Sequence, residues 1–285
     1  MAIKLITDSG CDLPREIIEE YNIEVLPLFV YLEGDEYLDG ETIQPKELYN
    51  NMRLGKIYTT SQVPPSKFKE LFIRHAENQD EVMYIGFSSK LTGTYQSALI
   101  AKEEVLEMHP NFDIYMIDTK CASVGFGLVV YKAAKMLKEG KSKEEIIKAI
   151  EFNSKHMEHI FTVDDLEYLL RGGRVSRAAA MIGGLLNIKP VLDVEDGKLM
   201  PREKVRGRKK ALKRIVEIAE ERGVDLKDQI IGISHGDDIE AVEMVKRMFE
   251  ENFGCRNFLV NMVGCVIGAH SGPGTLALFF LNAKE

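Results

Sequence analysis

Short apolar runs alternate with helical patterns through the first half of the chain, and this alternation restricts the possible folds more than any other feature. The apolar runs predict strands at Ile3–Ile6, Val25–Tyr31, Val82–Phe87 and Ile114–Ile117. The helical patterns lie at Pro14–Tyr21, Pro45–Arg53, Ser66–Ala76, Thr94–Met108 and Gly125–Lys138. Strands that are regularly separated by helices need crossover connections, so we expect a mainly parallel sheet with helices on both faces.

The pattern of predicted elements changes after Gly140. A helix is expected over Lys143–Asn153, and Asp196-Gly197 is typical of a tight hairpin turn between two strands. The other expected elements are strands at Ile188–Val194, Lys198–Val205, Gln229–Ile233, Asn257–Met262 and Thr275–Leu281, and helices at Gly207–Arg222 and Ile239–Asn252. We therefore predict an α/β N-terminal domain of three layers with a mainly parallel sheet, residues 1–155, and an α+β C-terminal domain with a mixed or antiparallel sheet, residues 156–285.

Charge and composition exclude several classes of function. A net charge of -8 disfavours nucleic acid, because it repels phosphodiester backbones at long range. The N-terminus carries no apolar signal core, and no apolar stretch reaches the roughly 20 residues that span a bilayer, so we expect a cytoplasmic protein without a transmembrane segment. The cysteines are scattered singly and the histidines are dispersed, so no metal site is expected.

Two hydroxyl-rich segments are candidate binding loops. In TTSQVPPS, Thr60 and Ser61 lie just before a helix start, where a capping role is the simpler alternative. In GFSSKLTGTYQSA, Ser88, Ser89 and Thr92 follow a strand and precede a helix, the place where open parallel sheets bind ligands and free backbone N–H groups suit an anion. The alternative is an ordinary strand-to-helix loop.

Arginines recur at intervals of three in LRGGRVSR, at Arg171, Arg174 and Arg177, ahead of a very apolar stretch from Ala178 to Ile188. A second basic patch in PREKVRGRKK includes Arg202, Arg206 and Arg208. Guanidinium groups bind phosphates and carboxylates bidentately, so clusters of this kind in an acidic chain indicate local anion recognition. A solvated basic face is the alternative.

His270 is the histidine with the best-placed neighbours. It stands in GAHSGPG, which we interpret as a loop before an apolar strand, and the glycines around it permit close approach of backbone or ligand. His235, in ISHGDD, is the rival, although a plain loop role suits it better. The hydroxyls, the histidine and the arginines favour an acidic end on the ligand, and the excess of Leu, Ile, Val, Met and Phe favours an apolar body.

At these segments the sequence resembles the DegV family, and the resemblance covers essentially the whole chain. It rests on many ordered motifs. They are TDSGCD (Thr7 to Asp12), TSQ (Thr60 to Gln62), SSKLTGTYQSA (Ser88 to Ala98), DTKCASVG (Asp118 to Gly125), RGGRVS (Arg171 to Ser176), NIKPVL (Asn187 to Leu192), KVRG (Lys204 to Gly207) and GAHSGPG (Gly268 to Gly274).

The resemblance implies a fatty acid buried between two domains, with no other cofactor. Its carboxylate would be hydrogen-bonded by Thr60 of the TSQ motif and by Thr92, the hydroxyl residue of the L-[ST]-G-T motif, with His270 of the GAH motif close by. Ser61, Ser88, Ser89 and Gly93 would lie in the ligand's vicinity.

The resemblance also implies a partner. In bacterial fatty acid kinase systems, members of this family are the acyl-binding subunit, which presents the carboxylate to a separate catalytic subunit for acyl-phosphate formation. The arginines that match those implicated in kinase docking or phosphoryl transfer are Arg171 or Arg174, and Arg206.

The same segments also permit an enzymatic alternative. Ser88 or Ser89 with His270 would supply the nucleophile and base of a hydrolase or acyltransferase acting on lipid esters. Neither Ser88 nor Ser89 lies in the G-x-S-x-G motif that usually positions such a serine. A non-catalytic lipid-binding protein is therefore the favoured prediction.

Overall fold

The computed structural model describes residues 3–176 and 187–284. The strands of the first half are β1 (Ile3–Asp8), β2 (Glu24–Leu26), β3 (Phe29–Leu32), β4 (Asp35–Leu38), β5 (Thr59–Ser61), β6 (Glu81–Gly86) and β7 (Ile114–Asp118). The helices are α1 (Arg15–Glu20), α2 (Pro45–Arg53), α3 (Pro65–Glu77), α4 (Thr94–Met108), α5 (Ser123–Lys138) and α6 (Lys143–His156).

A parallel sheet organises the first half, in the strand order β2-β1-β6-β7. Successive residues of β6, from Val82 to Ile85, are all buried although their side chains alternate between the two faces. Tyr84 packs on Phe68 of α3 and Tyr95 of α4 on one face. The predicted parallel sheet with helices between its strands is confirmed.

The single strand predicted over Val25–Tyr31 is wrong. The structure divides this segment into β2, which belongs to the parallel sheet, and β3, which lies in a small antiparallel sheet of order β4-β3-β5. Pro27 separates the two strands, and proline cannot donate a ladder hydrogen bond. The chain therefore leaves one sheet and enters the other at this residue.

The second half forms a mixed sheet of order β10-β9-β8-β13-β11-β12. Its elements are β8 (Met157–Thr162), α7 (Glu167–Arg171), β9 (Ile188–Glu195), β10 (Lys198–Arg206), α8 (Arg208–Arg222), β11 (Ile231–His235), α9 (Ile239–Phe253), β12 (Phe258–Met262), α10 (Cys265–Ser271) and β13 (Leu276–Leu281). The hairpin at Asp196-Gly197 is confirmed, since β9 and β10 pair antiparallel and both turn residues have positive φ. Strand β8 was not predicted, yet it lies inside the sheet between β9 and β13.

The two faces of β13 belong to different hydrophobic clusters. Leu276, Leu278 and Phe280 pack in a cluster with α8 and α9, whereas Ala277 and Phe279 belong to a larger cluster that includes residues of the first half. Helix α5 of the first half packs against β11 and β13. The larger cluster therefore joins the two halves, and the division into domains at residue 155 stays a prediction.

Residues 265–271 form a short helix, so the prediction that His270 lies in a loop is wrong. The chain enters α10 at Gly264, and His270 stands in the last turn. The helix packs against α2 and α7. Four glycines within eleven residues, from Gly264 to Gly274, conceal this element because glycine weakens a helical pattern.

Candidate functional site

A cavity of about 360 Å³ lies between the inner face of the mixed sheet and the loops that follow β5 and β6. This volume falls within the range of small-molecule sites, roughly 300–1,000 Å³. Most of the wall is apolar. The apolar lining residues include Leu28, Phe87, Leu91, Phe161, Leu169, Val194, Leu199, Val263, Val266, Ile267, Ala277 and Phe279.

One end of the cavity is polar, and the structure brings together there the residues singled out as carboxylate ligands. Thr60 Oγ1 lies 2.7 Å from His270 Nε2, although 210 positions separate them in the sequence. Thr92 lines the same cavity, and its hydroxyl lies 2.9 Å from that of Thr94. Ser61 and Gly93 also line it. Strand β5, the loop before α4 and helix α10 together build this end.

His270 is neutral at physiological pH. Burial lowers the pKa of its imidazole to about 4, and the nearby charge of Arg174 acts in the same direction. Gly172 packs against the ring so closely that a Cβ at that position would clash with Nδ1. The neutral ring either accepts a hydrogen bond from Thr60 or donates one to it, and in the second case the Thr60 hydroxyl proton is free for a ligand.

Arg174 places a positive charge at the polar end. Its guanidinium lines the cavity and donates hydrogen bonds to the carbonyls of Gly172 (2.6 Å) and Leu91 (3.2 Å). Among residues 3–176 and 187–284 it makes no ion pair with a carboxylate. Burial lowers its pKa, but a guanidinium keeps its proton in proteins. The charge is therefore partly desolvated and uncompensated, which favours an anion in the cavity.

The arginines singled out from the sequence have different surroundings. Arg171 is exposed, and its guanidinium lies 5.8 Å from the centroid of the Tyr168 ring. Arg171 and Arg174 both line a second, smaller hollow of about 170 Å³, which shares Thr60, Arg174 and His270 with the main cavity. Arg206 is exposed at the end of β10 and lines neither space.

The second basic patch is largely neutralised within the protein. Arg202 pairs with Asp193 and Glu195, and Arg208 pairs with Asp238. Of its three named arginines, these two are therefore engaged by carboxylates and do not present free charge to a ligand. Arg177 and residues 178–186 of the apolar stretch lie outside the described residues.

Ser88 and Ser89 do not line the cavity. The Ser88 hydroxyl is buried and donates to the carbonyl of Gly197 in the hairpin turn, at 2.9 Å. The Ser89 hydroxyl accepts a hydrogen bond from Lys120. Neither serine is hydrogen-bonded to His270, so the structure does not join the nucleophile–base pairs predicted from Ser88 or Ser89.

His159 lines the cavity and was missed in the sequence. Its Nε2 accepts a hydrogen bond from the backbone N–H of Ala122 (3.1 Å), so its proton is on Nδ1, which donates to the carbonyl of Met157 (3.0 Å). Both nitrogens are thus satisfied within the protein. Strand alternation with Phe161 was the signal that could have placed His159 on the inner face.

Gln62 is a second residue whose role the sequence did not reveal. Its amide Nε2 donates to Ser97 Oγ of α4 at 3.0 Å, and its Oε1 occupies the space that a Cβ on Gly93 would need. The glutamine that follows Thr60 and Ser61 therefore ties the end of β5 to the loop that carries Thr92. A side chain at position 93 would therefore have to displace the Gln62 amide.

The stability that the buried, neutral His159 contributes should be lost as the pH is lowered from 7. Burial lowers the pKa of His159 to about 4, so on acidification the unfolded chain binds this proton first and the free energy of unfolding falls between about pH 6.5 and pH 4. From pH 7 to 4.5, His159 alone should remove about 2–3 kcal/mol. Urea unfolding at both pH values should therefore show a smaller loss in His159→Leu than in the wild type.

Comparing the wild type with His159→Leu isolates the contribution of this histidine to the pH dependence of stability. Burial raises the pKa of Asp8 to about 6, an effect that stabilises the fold on acidification, but it is common to both proteins and cancels. Equal losses of stability in the wild type and His159→Leu would contradict the assignment of a neutral, buried His159.

The described part of the chain, residues 3–176 and 187–284, lacks two kinds of feature. Within it, no helix has the length and apolarity needed to cross a membrane. The same residues contain no group of three or more histidine, cysteine, aspartate or glutamate side chains placed to hold a metal ion.

Comparisons with known proteins agree on one family. A family model described as "Uncharacterised protein, DegV family" matches residues 2–283. A DegV domain-containing protein of Clostridium perfringens is 44% identical over 285 residues, covering 99% of this chain and 98% of the relative.

Solved structures share the fold over the whole length. A DegV family protein from Thermus thermophilus, described by its fatty acid binding, superposes with a TM-score of 0.90 at 34% identity, covering 99% of this chain and 100% of the other. A stearic acid-binding protein from Eubacterium ventriosum gives a TM-score of 0.88 at 28% identity, covering 98% of each chain. The sequence motifs, the sheet order and these matches show that the chain belongs to the DegV family.

Proposed function

We propose that the protein binds a long-chain fatty acid in the cavity, with the carboxylate at the polar end. The observation that carries this proposal is a mostly apolar cavity with a cluster of polar groups, Thr60, Thr92, His270 and Arg174, at one end. Among the described residues, no carboxylate pairs with Arg174. Fatty acids have the same asymmetry. The Thermus and Eubacterium relatives, which are described as binding fatty acids, have the same fold.

The apolar wall supplies the affinity. Burial of an alkyl chain gains roughly 0.8 kcal/mol per methylene, so about 14 methylenes contribute on the order of 11 kcal/mol before the costs of association and ordering. His159 does not oppose this gain, because both of its ring nitrogens are already hydrogen-bonded within the protein.

The carboxylate needs donors, because a buried carboxylate without partners costs several kcal/mol. When His270 Nε2–H donates to Thr60 Oγ1, the Thr60 hydroxyl is free to donate to a carboxylate oxygen. The Thr92 hydroxyl can turn from Thr94 to the second oxygen. Arg174, held by the carbonyls of Gly172 and Leu91, supplies the compensating charge.

The fatty acid is the substrate of a separate kinase in this proposal, and this protein is its non-catalytic partner. A carboxylate oxygen would attack the γ-phosphorus of ATP, giving an acyl phosphate and ADP. The smaller hollow supports this role, since it adjoins the carboxylate site from the other side of Thr60 and His270 and is bordered by the exposed Arg171. Arg206 is the second candidate for docking. We place the pair in the cytoplasm, where the four free cysteines stay reduced.

Native mass spectrometry of the purified protein tests the binding step. We expect a bound mass of 16–18 carbon acids that disappears on delipidation and returns with added palmitate or stearate. A protein that is purified empty and takes up no long-chain acid would refute the proposal.

A phosphotransfer assay with the cognate kinase and labelled ATP tests the partnership. Arg171→Ala and Arg206→Ala should each lower acyl-phosphate formation at least tenfold while leaving lipid content unchanged. Arg256→Ala, which removes an exposed arginine that lines neither hollow, is the matched control. Unchanged rates in both test variants would exclude these two arginines as docking residues.

A further inference from the structure

Two buried carboxylates of the first half lie at the start of α10. Asp39 Oδ1 accepts a hydrogen bond from the backbone N–H of Cys265 at 2.7 Å, and Asp12 Oδ1 accepts one from that of Gly264 at 3.0 Å. Asp12 and Asp39 are only 6% and 5% exposed. Neither carboxylate lines the cavity, so a direct role in binding does not explain them.

Both carboxylates are fixed by further hydrogen bonds from the first half of the chain. Ser9 Oγ donates to Asp39 Oδ2 at 2.9 Å and accepts from the Leu28 N–H. Ser123 Oγ, at the start of α5, donates to Asp12 Oδ2. Each aspartate is therefore held on one oxygen and presents the other to α10.

The same end of α10 is held by two more contacts. Asn261 donates to the backbone carbonyl of Asp12 at 2.8 Å, and the Tyr49 hydroxyl of α2 donates to the carbonyl of Val263 at 3.1 Å. The first N–H groups of a helix have no partner within the helix, so acceptor oxygens beside them stabilise its start. The first half of the chain thus provides the N-terminal cap of a helix that belongs to the second half.

The other end of this helix carries His270. From Cys265 to His270 the helix rises about 7.5 Å, less than two turns, so a shift of its first turn is transmitted to the imidazole. Val266 and Ile267, which line the cavity, stand in between. The position of His270 relative to Thr60, on β5, therefore depends on where Asp39 and Asp12 hold the start of α10.

We propose that Asp39, assisted by Asp12, is a positioning residue for the carboxylate site: it acts through α10 to hold His270 against Thr60. The inference rests on the proposed function for its consequence in lipid binding. Its structural content, the coupling of Asp39 to the His270 ring, is independent of any ligand.

Two measurements on delipidated full-length protein test this inference: palmitate affinity by calorimetry, and the ¹H–¹³C NMR signal of the His270 ring. Asp39→Ala, which removes both acceptor oxygens, should weaken palmitate binding at least tenfold and shift the His270 signal. Asp39→Asn keeps one acceptor oxygen for Cys265 N–H and should restore affinity to within about threefold of the wild type. Cys265→Pro removes the same hydrogen bond from the helix side at a position that tolerates proline, and provides the test if Asp39→Ala does not fold.

Asp238→Ala is the matched control. Asp238 caps α9 through the N–H of Ala241 at 3.1 Å and lines no part of the cavity, so its loss should lower the melting temperature without changing palmitate affinity or the His270 signal. Wild-type affinity in Asp39→Ala, or equal weakening in Asp238→Ala, would overturn the inference. A wild-type protein that binds no palmitate would refute the proposed function instead, and the His270 signal of Asp39→Ala would then decide the inference alone.

Discussion

Replacing Thr60 with valine should weaken palmitate binding by about 10- to 100-fold. Valine keeps the shape of the side chain and removes only the hydroxyl, so His270 Nε2 and the ligand carboxylate each lose a partner. A buried polar group left without its hydrogen bond costs about 1–3 kcal/mol, and a charged group costs more. Calorimetric titration of delipidated protein measures the change.

The neighbouring residue provides the control. Thr59 precedes Thr60 in β5, is exposed and does not line the main cavity, so Thr59→Val makes the same chemical change on the outer side. We expect its affinity to stay within twofold of the wild type. If the two variants bound palmitate equally well, the polar end described here would not be the carboxylate site.

Filling the cavity from the mixed sheet should abolish binding. Ala277 lies on the inner face of β13, and a phenylalanine at this position projects its ring into the space that the alkyl chain would occupy. We expect Ala277→Phe to lose palmitate affinity by more than 100-fold, because each methylene that is displaced forfeits about 0.8 kcal/mol. The ligand-free variant should melt no more than a few degrees below wild type, since the ring enters existing space.

Substitutions of increasing size at position 277 distinguish filling of the cavity from disruption of the fold. Ala277→Val should cause a smaller loss that is greatest for the longest acids, and Ala277→Leu an intermediate one. A folded Ala277→Phe protein with undiminished palmitate binding would show that the lipid occupies another part of the molecule.

Much of the fold could be predicted from local patterns. The helices over Pro45–Arg53 and Thr94–Met108 have the predicted bounds, and the Asp-Gly hairpin is found where it was expected. These elements have strong local signals, such as a proline at the first helical position or a turn that needs positive φ. Strand β8 and helix α10 have weaker signals, and tertiary packing determines them.

The site was less accessible to sequence reasoning. Spacing alone could not join Thr60 to His270, since contacts over 210 residues depend on how the two sheets pack; only the family resemblance suggested the pair. His159 and Asp39 were missed for the same reason. His159 accepts a hydrogen bond from the backbone N–H of Ala122, and Asp39 accepts one from that of Cys265. Both backbone groups are distant in sequence, and a pattern of residue types does not indicate such contacts.

Alternate residues of strand β13 have different surroundings. Positions 277 and 279 line the cavity, whereas positions 276, 278 and 280 pack in the hydrophobic cluster with α8 and α9. If the cavity binds a fatty acid as proposed, substitutions at positions 277 and 279 can change the preferred acyl chain while positions 276, 278 and 280 keep the scaffold intact. Relatives with different lipid preferences should therefore differ mainly at the positions that correspond to 277 and 279.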